Sequence, residues 1–234
     1  MQPKYKRTIL KLSGEALAGQ KKQGLCMETV TEICKSIKKC YDAGVEIGIV
    51  VGGGNYWRGR TTENMDKVRA DHIGMLATMM NALAVCDVLE SLGCEARVQS
   101  AISMMQIAEP YIRQKSMSHF SKGRIIIFGC GTGSPTFSTD SAAALRATEL
   151  NADVLLKATM VDGVYDKDPL KYDDAVKYDT MKVRDIIVGD LRVLDGTAAA
   201  MCIESKIPII VFDLHDPENI YRAIMGENIG TKVY

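Results

Sequence analysis

Arg124-Ile125-Ile126-Ile127-Phe128-Gly129-Cys130-Gly131-Thr132-Gly133 is the stretch from which the fold can be read. Residues 125–128 form a wholly apolar run too short for a helix, which suits a strand covered on both faces. The glycines at 129, 131 and 133 let the backbone turn sharply and bring N–H groups close to whatever lies beyond the strand end. Outward from this stretch, short β-branched runs alternate with segments of helical spacing. Towards the N-terminus lie strands over residues 8–12, 45–51 and 95–99. A helix with the apolar face Val30, Ile33, Cys34, Ile37 and Tyr41 ends at Gly44, and a long helix spans residues 70–92. Towards the C-terminus follow a helix over 141–150, a strand over 153–157, a helix near 198–204, a strand over 208–212 and a helix over 217–225. This alternation predicts an α/β fold with a largely parallel sheet between helical layers. No repeat, low-complexity tract or Pro/Ser linker interrupts it, so one domain over residues 1–234 is expected.

Composition narrows the function classes. The chain has 234 residues, 47% of them hydrophobic, and its 29 basic residues equal its 29 acidic ones. That balance lacks the basic excess of a general nucleic-acid or membrane-surface binder, and the apolar fraction is too high for a disordered protein. The opening MQPKYKRTILKLSGE has no apolar signal core, and the longest uncharged apolar stretch, residues 72–86, reads as too short to span a membrane. Seven cysteines without a Cys-x-x-Cys pair read as reduced thiols, and the three histidines have no neighbour at metal-ligand spacing. A cytoplasmic protein with no resident metal, no nucleic acid and no membrane partner is the expectation.

Three glycine-rich segments each follow a hydrophobic strand: Leu12-Ser13-Gly14, Gly52-Gly53-Gly54 and the stretch quoted first. Beyond the carboxyl ends of parallel strands, such turns favour a phosphate-rich ligand approached by backbone N–H groups. Gly54 to Thr61 nearly spells a Walker A loop, but Arg60 replaces the required Lys and Tyr56-Trp57 sit inside it, so it is not one. Arg58 can grip a phosphate through two N–H bonds or stand as an ordinary surface arginine. Lys11 interrupts an apolar strand, and Lys157 repeats the pattern, so the two can neutralise a phosphate chain or snorkel to water. Ser138-Thr139-Asp140-Ser141 caps the helix that follows. Asp140 there would repel phosphate unless it orients lysines or a magnesium ion. Residues 162–169 resemble an acidic calcium loop only in appearance, and no Gly-x-Ser-x-Gly elbow is present. The 70–92 helix is apolar nearly all round, which suits the core or a subunit interface.

Taken together, Lys11-Leu12-Ser13-Gly14-Glu15, Gly52-Gly53-Gly54-Asn55, Asp71-His72-x-Gly74-Met75-Leu76-Ala77-Thr78, Thr132-Gly133-x-Pro135-x-Phe137-x-Thr139-Asp140-Ser141, Lys157-Ala158-Thr159-x-Val161-Asp162-Gly163-Val164-Tyr165 and Asp168-Pro169 occur in order. The set resembles the bacterial UMP kinases of the amino acid kinase family over essentially the whole chain. The resemblance implies a three-layer α/β/α sandwich with a largely parallel central sheet. It implies ATP with magnesium, and a cytoplasmic homohexamer that phosphorylates UMP in pyrimidine nucleotide synthesis. It implies Lys11, Asp140 and Lys157 as catalytic residues. Lys11, Leu12, Ser13, Gly14, Gly54, Arg58, Thr159, Tyr165 and Asp168 would serve ATP. Gly53, Arg58, Asp71, Thr132, Gly133, Ser134, Pro135, Thr136, Phe137, Ser138 and Thr139 would hold UMP. Gly19, Gln20, Lys21, Lys22, Gln23 and Gly24 match a stretch linked to activation by GTP, and UTP would inhibit by competing at the UMP site. Ser134 departs from the family's usual Asn, which shortens one reach towards the base. Two rival readings are a carboxylate kinase of the same family, acting on acetylglutamate or aspartate, and a nucleotide-binding storage or regulatory protein without catalysis.

Overall fold

The structure, a computed structural model, describes residues 2–21, 23–57, 65–169, 171–189, 191 and 193–234. In chain order the elements are β1 (Arg7–Leu12), α1 (Gly14–Ala18), α2 (Met27–Asp42), β2 (Glu46–Val51), α3 (Lys67–Ser91), β3 (Ala96–Ser100), β4 (Glu109–Pro110), α4 (Arg113–Ser121) and β5 (Ile125–Gly129). There follow α5 (Thr139–Glu149), β6 (Val154–Thr159), β7 (Val164–Tyr165), β8 (Lys177–Tyr178), β9 (Thr180–Met181), α6 (Val183–Val188), α7 (Gly196–Ser205), β10 (Ile209–Asp213), α8 (Asn219–Met225) and β11 (Thr231–Val233). Among the described residues, nine strands join one sheet in the order β4-β3-β5-β2-β1-β6-β10-β11-β9, and β7 and β8 form a separate antiparallel ribbon. Every pairing within the large sheet is parallel except that of β10 with β11.

Side-chain alternation along the strands divides the core into two layers. Leu10, Leu12, Ile47, Ile49, Ile125 and Ile127 face α2 and α3, where Ile33, Ile37, Met79, Val85 and Leu89 meet them. Ile9, Val50, Ile126, Phe128 and Leu155 point the other way, onto Ala142, Ala143 and Ala147 of α5 and Ala198 and Ala199 of α7. The sheet between two helical layers is the expected three-layer α/β/α arrangement. Small alanines let α5 lie close to the strands, which matters for the residue at its first turn. The period of two also puts Lys11 on the same side as Ile9, towards α5.

The long elements stand within a few residues of the expected bounds. The α3 helix begins one turn early because Asp66 caps it, its side chain accepting from the Arg69 amide at 3.0 Å. Its 25 residues are long and apolar enough to cross a membrane by length and composition, which corrects the estimate drawn from residues 72–86. Counting only uncharged residues missed a pattern that runs past Asp71 and Asp87. More than half of its most apolar 18-residue stretch is buried inside the protein. Nor is the helix buried all round, since Leu76, Met80 and Leu83 are 54%, 46% and 38% exposed. All seven cysteines are free thiols; burial pushes Cys34, Cys40 and Cys202 up to about 12 and Cys86 up to about 11.

Candidate active site

From β1 the chain passes to β2 on one side, while β6 pairs with β1 on the other. The crevice at such a reversal, outside the carboxyl ends of the strands, is where open α/β sheets bind ligands. In the β1–β6 ladder Lys11 stands directly opposite Lys157. Two ammonium groups so placed repel each other, and Asp140 at the start of α5 lies between them. Lys11 Nζ is 3.0 Å from Asp140 Oδ1, close but off the line of a directed hydrogen bond, and Lys157 Nζ donates to Oδ2. Lys157 is only 8% exposed, so it does not snorkel to water. Burial favours the neutral carboxyl of Asp140, but the charges of Lys11 and Lys157 outweigh it and hold the group below the usual carboxylate range. Burial pushes Lys157 below an ordinary lysine, and Asp140 recovers only part of that drop. Within the triad two cations share one anion, and the Asp195 carboxylate also acts on Lys157 from nearby.

A cap network fixes this triad. Ser138 Oγ accepts from the amides of Asp140 and Ser141 at 3.0 and 3.1 Å, which starts α5 at the residue before Asp140. Asp195 caps α7 by accepting from Ala198 N at 3.0 Å, and the same carboxylate accepts from Ser138 Oγ and, at 2.9 Å, from Ser141 Oγ. Sequence reasoning passed over Asp195; its only signal was an Asp directly before a helical segment.

The glycine turns at the ends of β1 and β2 lie backbone against backbone. Ser13 caps α1 through the Ala16 amide at 3.1 Å, and the Gly52 amide donates to Leu12 O at 2.8 Å. A Cβ on Gly14 would stand 2.6 Å from Gly54 N, and one on Gly53 would stand 2.7 Å from Gly74 O of α3. A Cβ on Gly54 would strike the Glu15 carboxylate. Asn55 and Asn81 exchange amide hydrogen bonds of 3.0 and 2.7 Å, and Asn81 also donates to Gly52 O at 2.6 Å. Asn55 further donates to Gly24 O at 2.8 Å and accepts from the Gly24 amide at 2.9 Å. That clamp ties one end of the 19–24 segment to the second glycine turn. At the other end Gly19 closes α1, and Lys21 Nζ reaches Leu25 O at 3.2 Å; Gln20 and Gln23 lie between, and Lys22 falls outside the described residues.

Beyond β5, Cys130 and Thr136 adopt positive φ of 62° and 73°. The Cys130 amide donates to Thr78 Oγ1 of α3 at 2.8 Å, and the Thr136 amide to Asp71 Oδ2 at 2.8 Å. Thr132 Oγ1 is turned inward on Ser134, donating to its carbonyl at 3.1 Å and accepting from its amide at 3.2 Å. Gly133 approaches Ala101, Pro135 is half-buried and Phe137 exposed, and Ser138 caps α5, which begins at Thr139. Asp71 and residues 132–139 are thus brought together by a hydrogen bond. On the other side of β1, Thr159 ends β6 and braces the turn at Val161 with bonds of 2.6 and 3.1 Å. Tyr165 of β7 donates to Asp162 at 2.6 Å, and Asp168 pairs with Lys171 at 3.4 Å. Arg58 lies outside the described residues. Cavities of about 300 Å³, beside α6 and α7, and about 490 Å³, beside α3 and β3, are lined by none of the triad. Among the described residues, no three His, Cys, Asp or Glu side chains gather to hold a metal ion.

Residues 6–213 match the model of the amino acid kinase family. The chain is 37% identical to UMP kinase from Bacillus anthracis, over 98% of this chain and 96% of that one, with a TM-score of 0.94. UMP kinase from Ureaplasma parvum is 32% identical over 97% and 98% of the two chains, with a TM-score of 0.92. Uridylate kinase from Archaeoglobus fulgidus is 30% identical over 97% and 99%, with a TM-score of 0.75.

Proposed function

The chain belongs to the amino acid kinase family, and from that premise we propose that it transfers the γ-phosphoryl group of ATP to a phosphate oxygen of UMP, giving ADP and UDP. The observation that carries this reading is the Lys11–Asp140–Lys157 triad at the carboxyl ends of adjacent parallel strands. Phosphoryl transfer asks for alignment and charge neutralisation more than for covalent chemistry. Lys11 and Lys157 supply fixed positive charge to the oxygens of the moving group, and Asp140 keeps the two ammoniums side by side. Asp140 is a poor general base, because the two lysines hold its pKa below the usual carboxylate range and so weaken its hold on a proton. None is needed, because a phosphate monoester has its second pKa near ~6 and is largely deprotonated at neutral pH.

In this reading Leu12, Ser13, Gly14, Gly54, Thr159, Tyr165 and Asp168 take ATP, and Gly53, Asp71 and residues 132–139 take UMP, with Arg58 serving the phosphates of both. Thr159 ends β6 on one side of β1 and residues 132–139 follow β5 on the other, so the two ligands would approach the lysines from opposite sides. Asp71 suits ribose hydroxyls and repels an amino-acid carboxylate, which disfavours the carboxylate-kinase reading. Magnesium neutralises phosphate charge when bound. The absence of an acidic cage among the described residues fits an ion carried by the nucleotide's phosphates with few protein ligands. The same reading extends to a cytoplasmic homohexamer in pyrimidine nucleotide synthesis, activated by GTP through residues 19–24 and inhibited by UTP.

A coupled ADP-release assay with UMP, CMP, AMP, acetylglutamate and aspartate as acceptors tests the proposal. UMP is expected to lead by orders of magnitude, because a site paired to uracil's N–H and carbonyl leaves buried groups unpaired with cytosine. Lys157→Ala and Lys11→Ala are expected to lose about a hundredfold or more in kcat while remaining folded. Equal turnover of CMP or acetylglutamate would overturn the substrate, and no ADP release with any acceptor would overturn the activity.

A further inference from the structure

Arg146 lies two turns into α5, on the side facing the core, and its side chain is 4% exposed. The guanidinium stacks 3.7 Å from the centroid of the Tyr111 ring and lies 5.9 Å from that of Phe128. These rings meet edge to face at 5.7 Å. Nη1 donates to Glu149 Oε2 at 2.6 Å, and the Tyr111 hydroxyl donates to the same oxygen at 2.6 Å. Nη2 points the other way and donates to the carbonyl of Gly131 at 3.4 Å, while Nε has no partner among the described residues. Burying a charge in this way is costly, and an apolar residue of similar volume could fill the space as well. What an apolar residue could not supply is the second arm of the fork.

That arm reaches the base of the loop between β5 and α5. Cys130 and Gly131 both hold left-handed backbone, at φ of 62° and 59°, so the chain turns there through two successive residues that local preference does not hold in place. Thr78 of α3 pins the Cys130 amide from one side, and Arg146 holds the Gly131 carbonyl from the other. The helix that carries Arg146 also carries Asp140, six residues earlier and so about 9 Å away along the axis.

We infer that Arg146 is a positioning residue for the acceptor: through Gly131 it sets where residues 132–139 stand relative to the two lysines. The inference rests on the UMP kinase reading and adds to it the group that holds the acceptor loop to the same rigid helix as the Asp140 bridge. Displacing a reacting group by about 1 Å can cost on the order of a hundredfold in rate, so the anchor acts on kcat as well as on UMP affinity.

Arg146→Lys keeps a cation beside Glu149 but has no planar fork to span Glu149 and Gly131. Steady-state kinetics with UMP and ATP varied separately, together with a thermal melt, read the effect. The expected result is a KM for UMP raised at least tenfold with a lower kcat, and a KM for ATP within twofold of the unsubstituted protein. A uniform loss of stability would not produce that split. A folded variant with unchanged UMP kinetics, or with both KM values raised together, overturns the role. Should Arg146→Lys fail to fold, Glu149→Gln retains the volume and loosens the fork. The same split is expected there, and its absence is equally decisive. Failure of the unsubstituted chain to phosphorylate UMP would reject the functional reading, whereas UMP turnover with no split in the variants rejects Arg146 alone.

Discussion

Lys157 performs its proposed task only while protonated, and its surroundings work against that. Burial lowers its pKa and the Asp140 charge raises it again, leaving a net depression. The alkaline limb of kcat is therefore expected below the pH at which an ordinary lysine titrates. Asp140→Asn removes the group that raises Lys157, so the limb should move to still lower pH, with kcat down about a hundredfold. A kcat–pH profile of both proteins checks this, and coincident alkaline limbs would count against it. On stability the sign is opposite. The pKa of Asp140 is depressed on folding, so its contribution is present above the ordinary carboxylate value and is lost as pH falls through the folded one. Lys11 and Lys157 were legible as cations inside apolar strands, and the choice between binding an anion and snorkelling to water fell to burial, which leaves Lys157 only 8% exposed. Asp195 and Arg146 were not, because a helix cap and a helical arginine have ordinary roles, and only packing shows what each one holds.

Among the elements, the glycine turns carry the sharpest expectations. Gly53→Ala would place a methyl 2.7 Å from Gly74 O and 2.9 Å from the Ala77 side chain, so α3 or the turn must yield. We expect about 1–3 kcal/mol of destabilisation from the overpacking, with a raised KM for UMP. Gly196→Ala is the control, since a Cβ there meets nothing within 4 Å. Urea unfolding of the two variants decides it, and equal midpoints would contradict the account. The long strands and helices were legible from periodicity. By contrast β4, β7, β8 and β9, with two residues each, are too short to carry a period of their own and exist only by pairing with a neighbour. The α1 helix was absorbed into the glycine turn before it, and the antiparallel β11 has no pattern that marks its direction.

For the molecule as a whole, the exposed face of α3 is the feature that a lone chain leaves unexplained. Leu76, Met80 and Leu83 recur at helical spacing, and Leu83 shares a cavity wall with the exposed Ile107. Contiguous apolar surface of this kind marks association. Sedimentation at micromolar concentration is expected to give a closed multiple of the 25.6 kDa chain. A Leu76→Glu, Leu83→Glu double variant should give a smaller species. A monomeric unsubstituted protein would refute this. The layered α/β class was legible at this scale from alternation alone. The strand order was not, because nothing in the sequence marks β6 as the second neighbour of β1.

That neighbour relation has a consequence for how the protein comes into being. More than half the chain lies between Lys11 and Lys157, yet the two face each other across one ladder. During synthesis β1 can pair with β2 early, but its other edge stays open until β6 has emerged. An apolar strand waiting in that state is exposed to mispairing. Joining ends so distant is also intrinsically slow. Enzymatic competence should therefore be the last property regained on refolding, arriving with closure of the sheet's centre rather than with the first appearance of helices.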